Sequence, residues 1–345
     1  MQLLPAGRGW SSLAQKRGDR AMDQLLQPVL QGDRRALSRA ITLVESTRAD
    51  HRERAQELIA ALPPAENSLR IGLSGTPGVG KSTFIESFGT ALTDAGLRVA
   101  VLAVDPSSTR SGGSILGDKT RMETLSRNPR AFIRPSPSSA QLGGVARRTR
   151  EALRLCEAAG HDIVLIETVG VGQSETLVAE MTDLFVLLLA PAGGDELQGV
   201  KRGIMEMADL VLVNKADGDL LPTARRTVAD YAGALRLLRK RPQDPEGFPK
   251  ALPVSAATGD GLPEAWQQMQ ALAKWRREHG HFDTNRAQQA RHWFMAELRA
   301  GLLAQLDTPD ARGRLDRLGR GVAAGDLPPG QAARQMLDWL AGRRA

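Results

Sequence analysis

The chain has 345 residues, a formal charge of +7 from 46 Lys and Arg against 39 Asp and Glu, and a single cysteine. That length buries a substantial core, whereas the lone Cys156 excludes an internal disulfide or a thiolate metal cluster, and no apolar run of about 18 residues exists to cross a membrane. The charge does not point to nucleic acid either: residues 69–263 carry 23 basic and 22 acidic side chains, so the excess sits among acids on the flanking segments, as expected of a cytoplasmic protein with no nucleic-acid or membrane partner.

In chain order, residues 1–19 lack the apolar centre of a signal peptide and read as a disordered extension. Residues 20–66 read as an N-terminal helical region, with Leu25, Leu26, Val29 and Leu30 at helical spacing and "RALSRAITLVES" repeating the pattern after Gly32-Asp33. Then come six short continuous apolar runs, "RIGLS" (70–74), "RVAVLAV" (98–104), "DIVLIE" (162–167), "LFVLLLA" (184–190), "DLVLVN" (209–214) and "ALPVS" (251–255), separated by loops and helices. Continuous rather than alternating apolar strands are covered on both faces, which predicts an α/β fold with a mostly parallel, doubly wound sheet over residues 67–263. Residues 264–345 are helical in pattern, and Trp266, Trp275, Trp293, Phe294 and Trp339 lie on amphipathic helices whose apolar faces need cover.

"GTPGVGKST", Gly75, Thr76, Pro77, Gly78, Val79, Gly80, Lys81, Ser82 and Thr83, follows the first strand and matches the phosphate-binding loop pattern G-x-x-x-x-G-K-[ST]. Its glycines let several N–H groups face one phosphate chain at a helix N-terminus. Lys81 is expected to reach the β and γ phosphates, and the Ser82 hydroxyl to hold Mg²⁺. "NKAD", Asn214, Lys215, Ala216 and Asp217, follows the fifth apolar run. An Asp carboxylate can accept from both the ring N–H and the amino group of guanine, and adenine offers no such donor pair. Downstream, Ser255 and Ala256 are expected to bring backbone N–H groups to the guanine oxygen, with Ala257 beside them.

A second Gly-Val-Gly turn, "ETVGVGQSE", carries Gln173 where the first carries Lys81. A second lysine would compete for the same phosphate oxygens, so this turn reads as a sensing loop. Glu167 would supply an acid near Mg²⁺, and Gly170 an N–H for the γ-phosphate. Asp105 and Asp118, in "DPSSTRSGGSILGDKTRM", are candidates for water ligands of Mg²⁺ or for positioning the attacking water, in a loop expected to order only with nucleotide and metal. Lys201, in "PAGGDELQGVKRGIMEMAD", belongs to a third such segment. Only 8 of the 46 basic residues are lysines, and Lys81, Lys119, Lys201 and Lys215 all fall in these loops, where a compact point charge is useful.

These segments, in this order, resemble the MeaB/ArgK (MMAA-like) family of P-loop GTPases, and the likeness runs from "GDRRALSRAITLVES" (Gly32–Ser46) to "AAGDLPPGQAA" (Ala323–Ala333). The resemblance implies a C-terminal helical arm that makes a homodimer. It also implies a chaperone that gates cofactor loading and protection of an adenosylcobalamin-dependent acyl-CoA mutase, typically methylmalonyl-CoA mutase. Carried over, Gly75 to Thr83, Asp217 and Ser255 to Ala257 would bind GTP or GDP, Asp105, Asp118 and Glu167 would serve Mg²⁺ and hydrolysis, and Lys201 would sit in the loop that communicates with the mutase. No Asp-x-His-x-x-Gly is present to ligate cobalt, so directly ligated cobalamin is not expected, and His161 in "GHDIVL" reads as a surface residue at a strand entrance. The alternatives are a nickel-type metal-insertion GTPase, disfavoured by five scattered histidines, and a kinase acting on an arginine/ornithine transport protein.

Overall fold

The computed structural model describes residues 24–64, 67–104, 122–135, 142–168, 174–191, 202–238 and 240–342. The expected extension 1–19 and the candidates Asp105, Asp118, Gly170 and Lys201 lie outside these residues.

A short helix α1 (24–30) is followed by α2 (Arg34–Glu45) and α3 (Ala49–Ala60). The Asp33 carboxylate accepts the Ala36 N–H at 2.7 Å and caps α2, whose Ala36, Leu37, Ala40, Ile41 and Val44 form the buried stripe. Next come β1 (Leu69–Gly75), α4 (Lys81–Asp94), β2 (Val99–Val104), α5 (Glu123–Arg127), β3 (Ala131–Arg134), α6 (Leu142–Ala158), β4 (Ile163–Thr168), α7 (Ser174–Ala179), β5 (Leu184–Leu189), α8 (Arg202–Met207), β6 (Leu210–Val213), α9 (Leu221–Arg236), β7 (Lys250–Pro253) and α10 (Leu262–Glu278).

All seven strands form one parallel sheet in the order β3-β2-β4-β1-β5-β6-β7. The strand order reverses at β1, between β4 and β5, and open α/β sheets bind ligands at the carboxyl ends of strands at such a point. β1, β2, β4, β5 and β6 are buried throughout, as their continuous apolar sequences require. The strand absent from the six predicted ones is β3. Four residues long, half-buried at its end and at the sheet edge, "AFIR" carries too little apolar signal to stand out.

On one face, Phe84, Ile85 and Phe88 of α4 pack with Ile71, Leu165, Val186 and Leu212 of the sheet and with Ala265, Met269 and Leu272 of α10. Trp266 meets the Phe88 ring edge-on at 5.9 Å. α10 is thus part of the sheet's own core. The chain divides into two compact units after it, Met1–Arg286 and Ala287–Ala345, whereas the helical arm was expected to begin at residue 264.

His161 is not on the surface. It is 5 % exposed, tilted against Phe132, with its Nδ1 2.9 Å from the Cys156 carbonyl, and burial pushes its pKa down to about 4. The left-handed Gly160 after α6 turns the chain so that the imidazole tucks under the sheet edge instead of facing water. Across the amino ends of β1, β5 and β6 runs a buried ionic belt. Arg70 meets Glu157 at 2.7 Å, Arg276 meets Asp209 at 2.6 Å and Asp244 at 2.5 Å, and Arg286 meets Asp183 at 2.7 Å. Burial opposes the Arg276 charge, but Asp209 and Asp244 outweigh it and raise its pKa.

The second unit holds the remainder of α11 (His281–Ala304), then α12 (Pro309–Ala323) and α13 (Pro329–Gly342). Thr308 caps α12, and Arg314 lies over the Trp339 ring at 5.6 Å. Phe294, Leu298 and Leu302, spaced by one helical turn, are exposed along α11. No helix among the described residues is long and apolar enough to cross a membrane.

Candidate functional site

The segment from Gly75 to Lys81 folds into a curl that its sequence imposes. A Cβ on Gly75 would lie 2.4 Å from the Leu188 carbonyl of β5, so the strand can leave the sheet there only without a side chain. Gly80 is left-handed (φ 91°) and is the N-cap of α4, and a Cβ there would lie 2.8 Å from Asn214 Nδ2. Among the described residues no side chain caps α4, so its first N–H groups are left for an anion. The Lys81 amine folds back onto the Gly75 and Thr76 carbonyls at 2.6 and 3.3 Å. Burial lowers its pKa, and Glu167 and Glu175 oppose that shift. Ser82 is half-buried and Thr83 exposed.

Glu167 is 4 % exposed near the end of β4, in register with Leu73 of β1 and Ala103 of β2. The next residue, Thr168, donates to the Ser74 hydroxyl at 3.2 Å, tying the two strand ends together beside the curl. The parallel pairing of β1 with β4 therefore brings Glu167 into electrostatic reach of Lys81, 86 residues earlier in the chain. Glu175, in the first turn of α7, is fully buried and acts on the same amine. In the sequence Glu175 stands out only as the last residue of the sensing loop "ETVGVGQSE". Its signal was an acid in the first turn of a helix directly after the second Gly-Val-Gly.

The segments expected to recognise the purine meet the curl directly. Asn214 Nδ2 donates to the Val79 carbonyl at 2.9 Å, and Asn214 Oδ1 accepts the Ala256 N–H at 3.0 Å. Lys215, the one described non-glycine residue with positive φ (59°), sends its amine to the Gly78 carbonyl at 2.8 Å. The Ala216 N–H donates to the Val254 carbonyl at 3.0 Å, and the Ser255 hydroxyl donates to Asp217. That bond holds the half-buried carboxylate of Asp217 in place at the mouth of the loop.

One expectation changes here. The Ser255 N–H is spent on the Asp260 carbonyl at 2.8 Å and the Ala256 N–H on Asn214, so neither is offered outward. Between 255 and 258, the Thr258 N–H also has a partner, the Ser255 hydroxyl at 3.2 Å. Only the Ala257 N–H has none among the described residues. Of the expected Mg²⁺ ligands, Ser82 and Glu167 are described, and no group of three His, Cys, Asp or Glu side chains gathers among the described residues. A hydroxyl and a buried acid beside a phosphate-type curl suit Mg²⁺, which takes one or two protein oxygens and completes its shell with phosphate and water.

A family model described as methylmalonyl-CoA mutase-associated GTPase MeaB matches residues 37–310. The chain is 49 % identical over 330 residues to a Mus musculus protein named methylmalonic aciduria type A homolog, mitochondrial, covering 92 % of this chain and 79 % of that one. It is 47 % identical over 277 residues to the GTPase ArgK of Escherichia coli K12, covering 80 % and 83 %. Among solved structures, a LAO/AO transport system kinase superposes with a TM-score of 0.72 at 36 % identity, covering 93 % of this chain and 98 % of that one.

Proposed function

We propose, from the premise that this chain belongs to the MeaB family of GTPases, that it binds GTP at the carboxyl edge of its sheet, hydrolyses it with Mg²⁺, and uses its nucleotide state to gate an adenosylcobalamin-dependent acyl-CoA mutase. The observation that carries the nucleotide reading is the mutual bracing of two segments. Asn214 and Lys215 hold the carbonyls of Val79 and Gly78, and Asp217 is held by Ser255. One triphosphate lying across this junction is gripped at both ends.

In this reading the glycine curl and the first N–H groups of α4 bind the phosphates. Lys81 leaves its carbonyl partners for the β and γ phosphates. Its partial burial keeps the amine poorly hydrated, so little water has to be stripped from it. Asp217 accepts from the guanine edge. Ser82, Glu167, Asp105 and Asp118 would hold Mg²⁺, which when bound offsets the charge that develops on the phosphates. Gly170 would offer its N–H to the γ-phosphate, and Lys201 would belong to the segment that answers the mutase.

Methylmalonyl-CoA mutase is the partner we infer. The family model's description and the name of the mouse relative support it. For the homodimer we infer, the exposed Phe294, Leu298 and Leu302 of α11 are the apolar surface a second copy would cover.

Hydrolysis of γ-labelled GTP by the full chain tests this reading. Label released as free phosphate, with Mg²⁺ required and ATP a poor competitor, is the expected result. Label transferred to a protein acceptor would instead favour a kinase, as the name of the superposed structure suggests for that protein. Co-purification with the mutase should depend on which nucleotide is supplied. Indifference to nucleotide would refute the gating role.

A further inference from the structure

Ser87 sits on α4, six residues after Lys81. A hydroxyl inside a helix can bond the carbonyl four residues back, and Thr42, Thr149, Thr227 and Thr284 all do so in this protein. Ser87 does not. Its hydroxyl crosses to the Ala256 carbonyl, 2.6 Å away and 169 residues further along the chain.

That carbonyl belongs to the peptide whose nitrogen is Ala257, the one amide of residues 255–258 without a partner among the described residues. In a trans peptide the C=O and N–H point in opposite directions. A bond that draws the carbonyl onto α4 therefore aims the Ala257 N–H away from α4. It also polarises the peptide, which makes the N–H a better donor. On its other side, the Ala256 N–H is fixed by Asn214 Oδ1 at 3.0 Å. That N–H lies in the preceding Ser255–Ala256 peptide. The Ala256–Ala257 plane is thus held directly by the phosphate-binding helix at its carbonyl, and the Asn-Lys-x-Asp segment anchors the adjoining plane with which it shares the Ala256 Cα.

We infer that Ser87 is a specificity-determining positioning residue, which holds the Ala256–Ala257 peptide so that the Ala257 N–H is presented to the keto oxygen of a 6-oxopurine. This rests on the guanine reading above and divides it in two. Asp217 reads the ring N–H and the 2-amino group, and the Ser87-oriented amide reads the oxygen. Ser87 itself touches no ligand.

The test is equilibrium binding of GTP, ITP and ATP to the full-length protein with Mg²⁺, in Ser87→Ala and Ser87→Thr. ITP keeps the keto oxygen and lacks the 2-amino group; ATP lacks the oxygen. In Ser87→Ala, GTP and ITP should both weaken by roughly five- to tenfold, as for loss of one oriented hydrogen bond. ATP should be unchanged, so the GTP-to-ATP ratio falls and the GTP-to-ITP ratio holds. For hydrolysis, KM for GTP should rise with little change in kcat. Ser87→Thr, which keeps the hydroxyl, should restore GTP binding. Equal weakening of all three nucleotides would mean that Ser87 merely supports the helix and would overturn the inference, as would an undiminished GTP preference in Ser87→Ala. Equal affinity of the unaltered protein for GTP and ATP would overturn the guanine reading itself, a separate failure visible before any substitution is made.

Discussion

Asn214→Ala removes one side chain and strands two backbone groups. Val79, Asn214 and Ala256 are 1 %, 1 % and 4 % exposed, so water cannot readily replace the lost amide. The substitution leaves the Val79 carbonyl and the Ala256 N–H without their bonds of 2.9 and 3.0 Å. Each orphaned buried group costs about 1–3 kcal/mol. A carbonyl tolerates the loss better than an N–H, so the expected destabilisation of the first unit is about 3 kcal/mol. The same change uncouples the phosphate curl from the purine segments and should weaken GTP by at least about tenfold, or 1.4 kcal/mol. Urea unfolding of the nucleotide-free full chain, followed by tryptophan fluorescence and circular dichroism, reads the first quantity. Equilibrium GTP binding reads the second. Asn214→Asp should be worse for stability than Ala, because it keeps the acceptor for Ala256 but sets a carboxylate against the Val79 carbonyl. A loss below about 1 kcal/mol in Asn214→Ala would refute the claim that this side chain clamps the two segments.

Lys81→Ala should abolish measurable GTP hydrolysis and weaken nucleotide binding, checked with a fluorescent GTP analogue; normal turnover in this variant would place the phosphates elsewhere. Asp217→Asn should reduce the preference for GTP over ATP by about 100-fold, as for a lost charged hydrogen-bond pair, in a competition assay. His161 has a folded pKa of about 4 against an ordinary 6.5, so the unfolded chain binds its proton more readily. Its contribution is therefore fully present above pH 6.5 and is lost as pH falls toward 4, a change of about 3 kcal/mol. His161→Gln should flatten that part of the stability profile measured by urea unfolding. Arg276→Met leaves Asp209 and Asp244 in the ionic belt with Arg241 alone and should cost about 3–5 kcal/mol. Little change in its denaturation midpoint would show that the belt contributes only specificity.

The five fully buried strands were legible because a strand covered on both faces has to be apolar along most of its length, and "LFVLLL" or "LVLV" can meet that requirement in few other ways. β3 was not, because an edge strand of four residues needs cover on only part of its surface. His161 was misjudged because its burial depends on where Gly160 sends the chain after α6, a matter of turn geometry that composition does not encode. The arm's start was placed at 264 because α10 has a helical pattern like those after it. Whether an amphipathic face covers its own sheet or a different unit is decided by what lies opposite.

At the site the same division holds. The amino-acid order alone determined the phosphate curl, the lysine within it and the Asn-Lys-x-Asp segment, because glycines at Gly75 and Gly80 and a carboxylate for guanine are demands on residue type at local spacing. Only the tertiary structure decided which amides of 255–258 are already spent, that the charge of Glu175 acts on Lys81, and that Ser87 reaches Ala256. These are bonds between segments far apart in the chain. A hydrogen bond depends on distance and direction in space, and the chain acquires those across 169 residues only when its strands have paired.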